Sequence, residues 1–249
     1  MLNEKLQPLR SVVRNSQNDS SQNSWREKNF CSGLETPLLG YGKLTVSPAY
    51  FMQLHEVSSD AHLRSILSRQ LNLDQRMCDS LHPSALIQRP QVIQWLREIS
   101  DFEGFLDEVL VVVHPELALI CRTAQERAAR DPALQKPLSF WPSLFGCIDI
   151  VVNRETPIHQ DQGGTPQGYD ALISLGVDHN ARLELPDVGA SFKYGPGCCV
   201  YLAGKVLRHG VPKWEGGERW ALIHFVNDAV LDRLSTPRPS LPTLLNYLL

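Results

Sequence analysis

Residues 181–211 read ARLELPDVGASFKYGPGCCVYLAGKVLRHGV. Four short runs, ARLELP, ASFKYG, GCCVYLAG and KVLRHGV, are rich in β-branched, aromatic and other apolar residues and are broken by Pro, Gly and Asp. In an extended run, successive side chains face opposite sides, so one face can be buried. A turn signal roughly every 8–12 residues is the rhythm of an all-β sandwich or barrel. Working outward, the same texture recurs in FGCIDIVV (145–152), YDALISLG (169–176) and RWALIHFV (219–226).

Upstream of Pro137 the period changes. Leu63, Ile66, Leu67 and Leu71 recur at helical spacing within Ala61–Leu71, as do Val92, Ile93, Trp95 and Leu96 after Pro90. A third helical segment runs from about Gly104 to Arg130 and is expected to break near Pro115. Residues 31–56 read as loops with a short strand. Residues 1–30 are polar, with NSQNDSSQNS at 15–24, and read as a disordered tail. The expected fold is α+β: a double-stranded β-helix, or jelly roll, over 137–249, with a mainly helical N-terminal layer over 31–136 that packs on the sheet.

The 249 residues suffice for a sizeable core. Hydrophobic residues make up 43% and charged residues 20%, an ordinary globular balance. A formal net charge of -3 lacks the basic excess of a dedicated nucleic-acid scaffold, although a local basic face can suffice. Cys31, Cys78, Cys121, Cys147, Cys198 and Cys199 form no CxxC pair, and MLNEKLQPLR lacks the apolar run of a secretory signal. Reduced thiols in an intracellular protein are expected. No apolar stretch approaches the roughly 18 residues of a membrane span.

The chemistry concentrates in PIHQDQGG, which contains His159 and Asp161. At i and i+2 on a strand, imidazole and carboxylate can converge on one point. HxD alone is a weak signal. Fifty residues later His209 ends an apolar run, and Arg219 follows ten residues beyond it, across KWEGGE. Two His and one carboxylate form the facial triad of non-haem iron(II) oxygenases. Three protein ligands leave about three positions of an octahedron, enough for a bidentate oxoacid and O2. Arg219 can grip the distal carboxylate of 2-oxoglutarate with two parallel hydrogen bonds. His179, in VDHNAR, and His224, in IHF, compete for the third ligand position. His179 reads as a turn residue and His224 as a core one.

HQDQGG, GYDALISLG, LELPDVGASFKYGPGCCVYLAGKVLRHGV and EGGERWALIHFVND together resemble the TET/JBP family of oxygenases over about 145–234. That family acts on methylated bases in nucleic acid. The resemblance implies Fe(II) at His159, Asp161 and His209, 2-oxoglutarate at Arg219, and O2 as the oxidant. It suggests Phe225 as the aromatic that stacks on a flipped base, against the alternative of core packing. Asn227, two residues on, would meet the base edge where some relatives use a histidine. Position 221 is Ala, without the hydroxyl that often follows the arginine by two.

Lys193, Lys205, Arg208 and Lys213 could form a positive rim for phosphates, or be ordinary solvated charges. Asp170 could orient a ligand, although a structural role comes first. The expected function is oxidation of 5-methylcytosine in DNA, with DNA as partner and a nuclear location. Rivals are the same chemistry on N6-methyladenine, thymine, an RNA base or a protein side chain, and a catalytically silent nucleic-acid-binding relative.

Overall fold

The computed structural model describes residues 2–16, 37–50 and 81–241. Two antiparallel sheets face each other. The larger runs in the order β1 (Gly42–Val46), β2 (Cys147–Val152), β9 (Arg219–Phe225), β4 (Asp170–Gly176) and β7 (Cys199–Leu202). The smaller runs β3 (Thr156–His159), β8 (His209–Val211), β5 (Arg182–Leu185) and β6 (Ala190–Lys193). The seven runs read from sequence each contain one of these strands, and the two facing sheets form the expected jelly roll.

β4 is buried at every position and β9 nearly so, because helices cover one face of the large sheet and the small sheet covers the other. The helical layer holds α1 (Leu2–Lys5), α2 (Arg10–Ser16), α3 (Pro90–Glu98), α4 (Ser100–Val113), α5 (Pro115–Ala128) and α6 (Pro132–Leu138), with α7 (Asp228–Arg233) following β9. α3 starts on Pro90, where the missing N–H costs nothing, and buries Val92, Trp95 and Leu96. The break expected near Pro115 separates α4 from α5. His114 caps α5 there, its Nδ1 accepting from Leu117 N at 3.4 Å. The main core joins both layers, with Trp95, Leu106 and Leu110 against Ile150, Ile173 and Leu222. A second cluster, including Leu172, Leu183 and Tyr194, lies between the sheets.

The reading of residues 1–30 as a disordered tail does not hold for 2–16. Leu6, Leu9, Val12 and Val13 are buried in the main core. Their i, i+3, i+6, i+7 spacing puts them on one side of a short helical run that passes through a 3-10 turn at Gln7–Leu9, a signal that the polar residues that follow dilute in a thirty-residue average. Asn3 bonds the end of β4 twice: its Nδ2 donates to Gly176 O at 2.7 Å, and its Oδ1 accepts from Gly176 N at 3.3 Å. Gly176 has φ 117°, and a Cβ there would sit 2.0 Å from Glu218 O, so only glycine fits. The boundary at 136/137 is also not clean, since β1 extends the large sheet from within 31–136. The helix expected over 61–71 and the remainder of the tail lie outside the described residues. Among the described residues, no helix is long and apolar enough to cross a membrane.

Candidate active site

β3 and β8 pair so that His159 and His209 lie directly opposite. Their ring centroids are 4.5 Å apart. Asp161 lies just past the end of β3, its N–H bonded to Gly204 O at 2.9 Å. That bond brings the carboxylate between the two rings: Oδ1 is 3.3 Å from His159 Nε2, and Oδ2 is 3.4 Å from His209 Nε2. One ligand atom from each residue falls within 4.8 Å of the others, so the three form a candidate metal site.

The donor chemistry fits a divalent metal. His159 Nδ1 bonds Pro157 O at 2.8 Å, and His209 Nδ1 bonds Leu207 O at 3.0 Å. A carbonyl only accepts, so each Nδ1 carries a proton, and each Nε2 faces Asp161, where it would offer its lone pair to a metal in place of a proton. Burial pushes the Asp161 carboxyl up. Hydrogen bonds and charge from His159 and His209 outweigh it and hold the group well below the usual carboxylate range. The cluster therefore favours an anionic oxygen ligand.

The three residues line a cavity of about 670 Å³, open to solvent, together with Arg219 and Arg154. Val151, Leu172, Leu183, Val211, Ala221 and Ile223 give it apolar walls. Arg219 is 4% exposed, at the start of β9. Its guanidinium carbon lies 5.6 Å from the ring centroids of both Tyr194 and Trp214, and Nη1 donates to Arg154 O at 3.3 Å. Nε is buried with no hydrogen-bond partner. A buried cation steadied by two π faces, with a donor to spare, fits an anionic carboxylate. Arg154, 4% exposed, escaped the sequence reading. It follows Asn153, whose φ of 52° turns the chain out of β2. The legible signal was an arginine among apolar strand residues in VVNRETPIH.

The other sequence candidates separate. Arg219, Ala221 and Ile223 line the cavity. Phe225 is the next residue on that face of β9 and is half-buried, beyond the lining itself. The strand ends at Phe225, so Asn227 does not continue its face. It caps α7 instead, Oδ1 accepting from Ala229 N at 3.0 Å. His179 lies outside the cluster, buried in its turn, with Nε2 bonded to Leu175 O at 2.9 Å. His224 points to the helical side, where Nε2 meets Glu103 Oε1 at 2.9 Å, both side chains fully buried.

Asp170 lies behind Asp161. A Cβ on Gly204 would meet Asp170 Oδ2 at 2.4 Å, Asp161 Oδ2 at 2.6 Å and His209 Cε1 at 3.3 Å, so glycine is needed there. Burial and the nearby Asp161 charge raise the Asp170 carboxyl well above its ordinary value, against a hydrogen bond from the Gly204 backbone. The positive rim is partly spent. Asp187 holds Arg208 at 2.6 Å, and Lys205 Nζ donates to Gln162 O at 2.6 Å.

The model of the Tet_JBP family, described as the oxygenase domain of the 2OGFeDO superfamily, matches residues 77–228. The chain belongs to the Tet_JBP family. It is accordingly an Fe(II)- and 2-oxoglutarate-dependent dioxygenase, and the superfamily implies O2 as its oxidant. No curated protein sequence matches the chain. Among solved structures, "NgTET1 in complex with 5mC DNA" is similar at 19% identity and a TM-score of 0.47, over 100% of this chain and 97% of that one. A Cupin 2 conserved barrel domain protein from Salinispora arenicola CNS-205 is similar at 23% identity and a TM-score of 0.24, over 36% of this chain and 69% of that one. At these scores the assignment rests on the Tet_JBP match alone.

Proposed function

We propose that this Tet_JBP dioxygenase oxidises the methyl group of 5-methylcytosine in DNA to 5-hydroxymethylcytosine, and can carry the oxidation further. The observation that supports it is the convergence of His159, Asp161, His209 and Arg219 on one cavity whose wall continues along β9 to a half-buried aromatic, Phe225. The family resemblance, to enzymes of methylated bases, points the same way.

The reaction balances as 2-oxoglutarate plus O2 plus a methyl group giving succinate, CO2 and a hydroxymethyl group. His159, Asp161 and His209 would hold iron(II), which when bound would supply the capacity to oxidise an unactivated C–H bond. The chain's own contribution is placement. The Nδ1 bonds to Pro157 O and Leu207 O fix both rings. Arg219 binds the distal carboxylate of 2-oxoglutarate, and Arg154 adds positive charge to the same space. The apolar walls limit water around the reacting groups. A base flipped out of the helix lies on Phe225. DNA as substrate implies a nuclear location.

The test is incubation with Fe(II), 2-oxoglutarate, O2 and a duplex bearing 5-methylcytosine, followed by mass spectrometry of the nucleosides. 5-Hydroxymethylcytosine matched by succinate is expected. Succinate without any oxidised cytosine would overturn the substrate assignment. Parallel N6-methyladenine and RNA substrates would reveal where the chemistry goes instead.

A further inference from the structure

The wall of the cavity built by β1 and β2 also carries two charged residues that hold neither the metal nor 2-oxoglutarate. Lys43 and Asp149 line the same space as the His–Asp–His cluster and Arg219. In the register of the large sheet, Asp149 stands opposite Thr45 on one side and Ile223 on the other. Side chains alternate, so Lys43, Thr45, Asp149 and Ile223 share the cavity face. The Asp149 carboxylate is held in place. Thr45 Oγ1 donates to its Oδ1 at 2.5 Å, and Lys43 Nζ lies 3.1 Å from its Oδ2. Its side chain is only 14% exposed.

An ionised carboxylate offers about four acceptor positions, and these two partners leave some open. Among the described residues, the carboxylates lining the cavity are Asp149 and Asp161. Asp161 belongs to the candidate metal site, which leaves Asp149 as the acceptor for a substrate N–H. Phe225 stands opposite Cys147, one pleat along from Asp149. Diagonal neighbours of this kind are roughly 7–8 Å apart, within reach of a ring lying between them. A base resting on Phe225 would turn one edge toward Asp149.

We infer that Asp149 accepts a hydrogen bond from the exocyclic amino group of the substrate base, so that the site takes amino-bearing methylated bases and rejects keto ones. The inference rests on the base-oxidation reading above. Cytosine presents an N4–H donor where thymine presents an O4 acceptor. Acceptor facing acceptor both loses a bond and repels, which is discrimination by mismatch. Thr45 and Lys43 fix the direction of the carboxylate and so act as positioning residues.

The experiment compares two single-stranded oligonucleotides that differ only in 5-methylcytosine or thymine at one position. Oxidation is followed by nucleoside mass spectrometry. Affinity is measured by fluorescence anisotropy on the Fe(II)- and 2-oxoglutarate-loaded protein without oxygen. The quantity read is the 5-methylcytosine-to-thymine preference, in the natural protein and in Asp149→Asn. That substitution keeps the size but replaces one acceptor oxygen by a donor. The preference should fall about ten- to a hundredfold, the range for losing a hydrogen bond to a charged group. A purely structural role for Asp149 would lower both substrates together and leave the ratio unchanged; that result would overturn the inference. Asp149→Ser, which keeps an acceptor for Thr45, serves if the first variant does not fold, and the same ratio decides. A natural protein that oxidises neither base removes the base-oxidation reading and this assignment with it. A natural protein active on 5-methylcytosine, with an unchanged ratio in the variants, removes the assignment alone.

Discussion

The two faces of β9 carry different burdens. Trp220, Leu222 and His224 face the helical layer and are at most 1% exposed, the first two as members of the main core. Arg219, Ala221 and Ile223 alternate with them and line the cavity, with Phe225 next on the same face beyond the lining. One strand thus places stability on its even residues and chemistry on its odd ones, because the side-chain period is two. Effects on folding and on catalysis should therefore separate by parity along a single strand.

The largest effect should come from the even face. Trp220→Ala deletes a fully buried indole and should cost about 3–5 kcal/mol, a large share of a typical total of roughly 5–15 kcal/mol. Thermal or urea unfolding measures it, and 2-oxoglutarate kinetics of the still-folded fraction should stay near normal. Altered KM with unchanged stability would break the parity rule. On the odd face, Arg219→Lys should raise the KM for 2-oxoglutarate about ten- to a hundredfold, since an ammonium cannot reproduce the planar fork. Its melting temperature should move little, and unchanged KM would take Arg219 out of the site.

Phe225→Ala sharpens the comparison at the open end of the strand. Loss of stacking of roughly 1–3 kcal/mol should lower affinity for methylated DNA about five- to a hundredfold. Uncoupled succinate formation should persist while methyl oxidation falls. If Phe225 only packs, both activities will decline together with the melting temperature.

The smallest effect lies beneath the even face. Burial, opposed by a hydrogen bond from Leu144 N and reinforced by Glu103, raises the Asp107 carboxyl from 3.8 to about 6. A raised carboxyl favours the protonated folded state, so stability falls as pH rises between about 4 and 6. Asp107→Asn should flatten that slope and gain under about 1 kcal/mol at neutral pH, given that the site is partly solvated. A denaturation series from pH 4 to 7 would read it; an unchanged slope would show that the helical side is electrostatically inert.

Much of this was legible in the chain because the signals are local. Three of the four strands of the small sheet and four of the five of the large one announce themselves by composition. His159, Asp161, His209 and Arg219 stand out by spacing that a jelly roll converts into proximity. What stayed hidden depends on partners far away in sequence. β1 is a strand of the roll because it pairs with β2, about a hundred residues on. Arg154 enters the cavity because Asn153 adopts a left-handed turn, which a strand period cannot reveal. Asn227 misled for the opposite reason: the strand period was extended two residues past Phe225, where a helix cap takes over.

The double bond between Asn3 and Gly176 has a practical bearing on how the protein is handled. Gly176 lies opposite Arg219 in the β4–β9 register, so the first helix braces the strand end beside the co-substrate arginine. Trimming the opening residues to obtain a tidier fragment would remove Asn3 together with Leu6 and Leu9. Such a fragment should lose grip on 2-oxoglutarate even though every residue of the cavity remains.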